Sequence, residues 1–188
     1  GKRALAALRK WGVPTYEKMP ECDIVSVCVQ PEQQMDILIK LCDPSTNYPP
    51  DGIWCEKPWV SNDPDPDCPW NCHLTGFDTI QVNYLRRGDP VHQKIAREYP
   101  GGRLIVHGKD DIHTRCHFDD LAKWWKATLE YHVENGPCRY YYTMGSTYDD
   151  LSWAFPNGGV DGGQCMKAML GNLLDHIEGK AELWSPPT

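Results

Sequence analysis

Residues Asp23-Ile24-Val25-Ser26-Val27-Cys28-Val29 form a nearly continuous β-branched run. A run that short, without polar alternation, is what a strand buried on both faces of a parallel sheet carries. Pro31 follows where the first turn of a helix tolerates a missing N–H, and Glu32 and Asp36 lie near that helix's positive end. Met35, Ile37, Leu38, Ile39 and Leu41 give it apolar surface up to Cys42, and a Pro-rich loop then leads to a second short strand, Gly52-Ile53-Trp54-Cys55. Strand, helix and strand in that order predict a right-handed crossover, hence a parallel α/β sheet. Upstream, Ala4, Leu5, Leu8 and Trp11 recur at helical spacing before Gly12 and Pro14, which predicts a helix over Lys2–Trp11.

Ser61-Asn62-Asp63-Pro64-Asp65-Pro66-Asp67 is a charged, Pro-interrupted stretch that holds neither helix nor strand, and it predicts a boundary between portions 1–60 and 61–188. Beyond it, Thr79–Tyr84 and Arg103–His107 alternate like strands, with a helix over Pro90–Glu98 between them. Phe118–Val133 reads as a helix carrying Leu121, Trp124, Trp125, Leu129 and His132, and Arg139–Thr143 as a strand. Tyr140, Tyr141 and Tyr142 must then alternate between faces, leaving at least one buried and one exposed. With Trp124, Trp125 and Trp153 they are either core or flat faces for sugar rings. The final helix, Gly163–Glu178, carries Met166, Met169, Leu170, Leu173, Leu174 and Ile177 at helical spacing, a packing surface suited to the first portion.

The balance of 19 basic against 26 acidic side chains, net charge -7, offers no basic footprint for a phosphate backbone and excludes nucleic acid as the expected partner. Charges interrupt every long window, so no segment is expected to span a membrane. Nine cysteines, an odd number with no leader pattern before them, predict a reducing, cytoplasmic setting rather than a secreted disulfide framework.

From Asp23 to Pro58 the chain runs strand, Pro-initiated helix, then a strand leading into Cys55-Glu56-Lys57-Pro58. This resembles the Gfo/Idh/MocA family of NAD(P)-dependent oxidoreductases, whose dinucleotide domain ends in a strand followed by Glu-Lys-Pro. Val82-Asn83-Tyr84-Leu85-Arg86-Arg87 with Pro90 is similar to the family's first substrate-domain strand. Gly108-Lys109 leading to His117-Phe118-Asp119-Asp120-Leu121 is similar to its glycine-containing loop and active-site His. The likeness covers most of the chain, from residue 1 to about 180.

The resemblance implies an α/β fold: an incomplete doubly wound, Rossmann-like parallel sheet over 1–60, then an α+β substrate-type domain over 61–188. It implies NAD or NADP as cofactor, with Gln30, Pro31, Glu56, Lys57 and Pro58 on the cofactor side. The implied reaction is hydride exchange with the secondary alcohol or ketone of a sugar or sugar-derived substrate. Lys57, His117 and His113 are the implied catalytic residues, with no metal, and the C-terminal sheet is the expected surface for a homo-oligomer.

The chemistry of those residue types agrees. A strand end in a parallel sheet opens into the crevice where ligands bind, so an ammonium at Lys57 can hold developing alkoxide charge; the plain alternative is a solvated lysine. His117, with an ordinary pKa near 6.5, can trade a proton at neutral pH; the plain alternative is a hydrogen-bonded structural histidine. His113 stands four residues earlier, where the family commonly has Asp, and Gln30-Pro31 with Met35 stand where it has Thr-Pro followed by His. The family's Gly-rich phosphate-binding turn has no counterpart here, so weak dinucleotide binding is expected of these residues alone. Two other classes stay open. One is a non-catalytic remnant of the family acting as a binding or assembly module. The other is a small structural zinc protein using Cys68, Cys72, His73, His113, Cys116 and His117.

Overall fold

A computed structural model describes residues 10, 12, 21–42, 50–57, 79–145 and 151–186. The expected first helix, apart from Lys10, and the Asp/Pro stretch 61–67 lie outside them. The first sheet joins β1 (Ile24–Val27), β2 (Gly52–Cys55) and β3 (Ile80–Val82) in the order β1-β2-β3, all parallel. Val27, Cys55 and Val82 are register partners, so the three strands end in line. Helix α1 (Pro31–Cys42) makes the crossover that the β-branched run and Pro31 predict.

Pleating sends alternate β2 side chains to opposite faces, and both faces are covered. Ile53 and Cys55 pack in a core with Leu38 and Leu41 of α1, Val27, Ile80, Val82 and Tyr84. Trp54 faces the other way, onto Met169 and Leu173 of the final helix, α4 (Gly162–Ile177). The expected packing of the last helix on the first portion is therefore found, by one stripe of it; Met166, Leu170 and Leu174 face outward.

One expectation is corrected. The Thr79–Tyr84 strand, assigned to the second portion, pairs in parallel with β2 and extends the first sheet. Its core, Ile80 to Val82, is buried throughout, as an inner parallel strand requires.

A 3₁₀ turn, Leu85–Gly88, and α2 (Pro90–Glu98) lead to the second sheet, made of β4 (Arg103–Gly108), β5 (Thr128–Val133), β6 (Arg139–Thr143) and β7 (Ser152–Phe155). Its order is β5-β4-β6-β7, with β4 and β5 parallel across α3 (Ile112–Trp125) and the remaining pairs antiparallel. Helices α2 and α3 cover one face, enclosing Ile95, Leu104, Val106, Phe118, Leu121, Trp125, Tyr140, Tyr142 and Phe155. The tyrosines alternate as expected, Tyr140 and Tyr142 inward and Tyr141 outward.

The helix expected over Phe118–Val133 is a second correction, because α3 starts earlier and stops at Trp125. Lys126 turns into the left-handed region, φ 53°, and its N–H closes back onto Ala122 and Lys123. Thr128-Leu129-Glu130-Tyr131-His132-Val133 then alternates with period two and pairs with β4, so the ladder overrides the helical reading of Leu129 and His132.

One buried ion pair ties the two sheets together. Arg87, in the turn after β3, donates to both oxygens of Asp120 on α3, at 2.6 and 3.1 Å, and to the Trp184 carbonyl at 2.7 Å. Among the described residues no helix is long and apolar enough to cross a membrane.

Candidate active site

The aligned carboxyl ends of the parallel strands present Glu56 and Lys57 after β2 and Asn83 after β3. Glu56 is fixed from several sides. Its N–H donates to the Val27 carbonyl at 3.0 Å, its carbonyl accepts Gln34 Nε2 from α1 at 2.7 Å, and its Oε1 accepts Asn83 Nδ2 at 2.7 Å. The same two amides leave buried acceptors, Gln34 Oε1 and Asn83 Oδ1, without a partner among the described residues. Both therefore bear an uncompensated desolvation cost at one end of one sheet.

Lys57 reaches across to the second sheet's helix. Its Nζ lies 3.0 Å from Nδ1 and 2.8 Å from Nε2 of His113, 56 residues along the chain. His113 is in the first turn of α3, which Asp111 caps by accepting the Thr114 N–H at 2.7 Å. One turn later His117 shares the His113 face, with ring centres 5.8 Å apart and edge-on, and Tyr84 lies 6.4 Å from it. The three expected catalytic residues are thus brought to one place, with His113 in direct contact with Lys57 and His117 beside it.

Burial sets the electrostatics. Removal from water is the largest influence lowering the Lys57 pKa, and the Arg86 charge adds to it. His117 is pushed down to about 2, by burial first and then by the charges of Arg86, Lys57 and His113, so its imidazole is neutral across the physiological range. Burial raises the Cys116 pKa against the pull of Lys57, which keeps that sulfur a thiol.

Arg86 was legible only as a member of the Arg86-Arg87 doublet, with no site role assigned to it. Its Nε donates to Tyr140 Oη at 3.3 Å, and its guanidinium carbon stands 4.8 Å from the Phe118 ring centre and 5.3 Å from that of Tyr140. Behind it, buried His92 bridges Asp89, 2.8 Å from Nδ1, and Tyr140 Oη, 2.7 Å from Nε2. No sequence pattern singles Arg86 out, because Asp89 stands three residues away and only the fold shows that Asp120 takes Arg87 and that Asp89 turns to His92.

Of the expected cofactor-side residues, Gln30 is exposed at the β1–α1 junction, where its carbonyl accepts the Gln33 N–H at 2.9 Å, and α1 starts at Pro31. Pro58 lies outside the described residues, as do Cys68, Cys72 and His73 of the zinc alternative. Among the described residues no three His, Cys, Asp or Glu side chains converge as a metal site. Set against known protein families and curated proteins, the chain matches none.

Proposed function

We propose that this chain is an oxidoreductase of Gfo/Idh/MocA type, exchanging a hydride between NAD(P) and the secondary alcohol or ketone of a sugar-like substrate. The observation that carries this reading is the contact of Lys57, at the carboxyl end of a parallel strand, with His113 on a helix of the other sheet, where His117 stands one turn further along. Support for the Rossmann-like reading of the first sheet comes from its parallel order, its cover on both faces and its aligned strand ends. The orphaned oxygens of Gln34 and Asn83 suit the amide donors of a nicotinamide carboxamide, which makes these two residues, with Glu56, Lys57 and the Gln30-Pro31 turn, the group that would hold it.

Bound there, NAD(P) supplies the hydride acceptor or donor. The protein's part is placement and charge. The Lys57 ammonium donates to the substrate oxygen and stabilises negative charge as it grows, in surroundings dry enough to strengthen that contact. Neutral His117 has a ring nitrogen able to accept a hydrogen bond from the substrate hydroxyl and orient it, and the proton released on oxidation leaves to water. His113 positions Lys57. The test is formation of NADH or NADPH when the chain is offered polyols and sugars with either oxidised cofactor. Lys57→Ala is expected to lower kcat by at least 10²-fold, roughly the scale for losing a positioned electrostatic group. No turnover across the series, with the protein folded, would favour the non-catalytic binding module.

A further inference from the structure

Arg86 and Arg87 leave the same turn at the end of β3 and meet different surroundings. Arg87 is buried, with its guanidinium satisfied by Asp120 and the Trp184 carbonyl. Arg86 is half-exposed and held by its inner edge, through Nε on the Tyr140 hydroxyl and ring contacts with Phe118 and Tyr140. No acceptor among the described residues takes its Nη1 or Nη2, and no carboxylate among them lies within ion-pair distance. Lys57 is the second cation of the site, and it too contacts a ring nitrogen rather than a carboxylate. Glu56, next to it in sequence, gives its Oε1 to Asn83.

Arg86 stands over Phe118, the residue after His117, and Lys57 contacts His113, one turn before it, so the two cations approach the same stretch of α3 and both act on His117. Among the described residues Glu56 and Asp111 act on Lys57, and Asp120 on Arg86, only from beyond ion-pair distance, and Asp120 is already taken by Arg87. Desolvated charge without an internal partner is costly unless a ligand supplies the counter-charge. A guanidinium anchored at Nε, with its two outer nitrogens open, is a fork suited to two oxygens of one anionic group.

We infer that the site takes a sugar acid, an aldonate or uronate, with Arg86 binding the carboxylate and Lys57 meeting the hydroxyl or carbonyl oxygen that reacts. This deepens the hydride-exchange reading and rests on it for the identity of the reacting oxygen. It accounts for two cations beside a neutral histidine with no ion-paired carboxylate among the described residues: the substrate brings a negative charge to them.

Calorimetric titration of the full chain with D-gluconate, D-glucose 6-phosphate and D-glucose reads binding without requiring turnover. The expected result is saturable gluconate binding roughly tenfold or more tighter than glucose, weakened about tenfold by Arg86→Met and partly restored by Arg86→Lys. It is also expected to weaken as salt rises. Gluconate binding no tighter than glucose, or unchanged in folded Arg86→Met, would overturn the inference. Tighter binding of glucose 6-phosphate than gluconate overturns the carboxylate and assigns phosphate as the anionic group. Should Arg86→Met fail to fold, salt-independent gluconate binding by the wild type gives the overturning result. Arg86-dependent gluconate binding without cofactor reduction would instead defeat hydride exchange and leave the anion site standing.

Discussion

In the parallel sheet, β2 is buried on both faces, whereas among the described residues the mixed sheet is covered on only one. Its other face, with Arg103, Ile105, His107, Arg139 and Tyr141, lines an open cavity of about 730 Å³. Charges on and beside that face satisfy one another: Arg103 pairs with Glu130, while His107 and Arg139 share Glu134. Along the strands of the first sheet the buried polar side chain is Gln81, whose Nε2 donates to the Met169 carbonyl, while its charged and amide groups Glu56, Lys57 and Asn83 follow the strand ends. Double cover thus concentrates chemistry at an edge, and single cover spreads self-satisfied polarity over a face.

The sharpest way to break this comparison is to cut the joint between the sheets. Arg87→Met leaves Asp120 buried without its partner and frees the Trp184 carbonyl, and a stability loss of about 3–5 kcal/mol is expected in urea unfolding. Asp120→Leu alone should do comparable damage. The double variant Arg87→Met/Asp120→Leu should recover part of the loss, because no unpaired charge remains. A loss under about 1 kcal/mol in Arg87→Met would mean that the pair does not join the sheets.

The glycines under α4 test how tightly the second cover sits. A Cβ on Gly88 would press on the Cys165 carbonyl oxygen and come within 2.9 Å of Met169 Cγ, so the helix backbone has to move. One on Gly52 would meet the end of the Ile177 side chain at 2.6 Å, which can rotate away. Gly88→Ala is expected to cost about 1–3 kcal/mol, and Gly52→Ala less than about 1. Equal thermal shifts for the two would show that α4 yields as readily as a side chain.

Acid provides a third, smaller handle. His117 refuses a proton down to about pH 2 in the fold, while its ordinary pKa is 6.5. Above pH 6.5 neither state holds the proton and stability is unaffected. As pH falls below 6.5, the unfolded chain gains a proton that the folded chain does not, so stability declines. Between pH 6.5 and 5 the His117 share is about 1–2 kcal/mol, and buried His92 acts in the same direction. Asp120, raised by burial, works the opposite way closer to the carboxylate range. His117→Asn should therefore flatten the fall in stability over this interval, and an unchanged slope would remove His117 as its source.

Much of the fold was legible because short-range chemistry dictates it. The β-branched run at Ile24–Val27, Pro31 at a helix start and Gly52–Cys55 each name their element without help from distant residues. The limits appear where pairing decides. Thr128–Val133 carries apolar residues compatible with either period until β4 offers a ladder, and Ile80–Val82 could not be assigned to a sheet before its neighbour was known. The site shows the same division. Lys57, His113 and His117 were recognisable by type and spacing, but the contact between Lys57 and His113 spans 56 residues and depends on how the two sheets dock. Arg86 was hidden because its importance lies in what fails to pair with it.

The smallest expected effect is the finest discriminator between a covered and an open face. Tyr140 and Tyr141 are neighbours in sequence, yet Tyr140 is fully buried against Phe155, His92 and Phe118, and Tyr141 is 40% exposed with an edge contact to His107. Tyr140→Ala removes a core ring and leaves a cavity, for which about 3–5 kcal/mol is usual. At Tyr141 the ring is half in water, so its removal empties no sealed space and orphans no buried group. Tyr141→Ser is therefore expected to change unfolding stability by no more than about 0.5 kcal/mol. A loss of several kcal/mol at Tyr141, measured with Tyr140→Ala alongside, would mean that the outer face is covered in solution and that the contrast between the two sheets is smaller than the single chain displays.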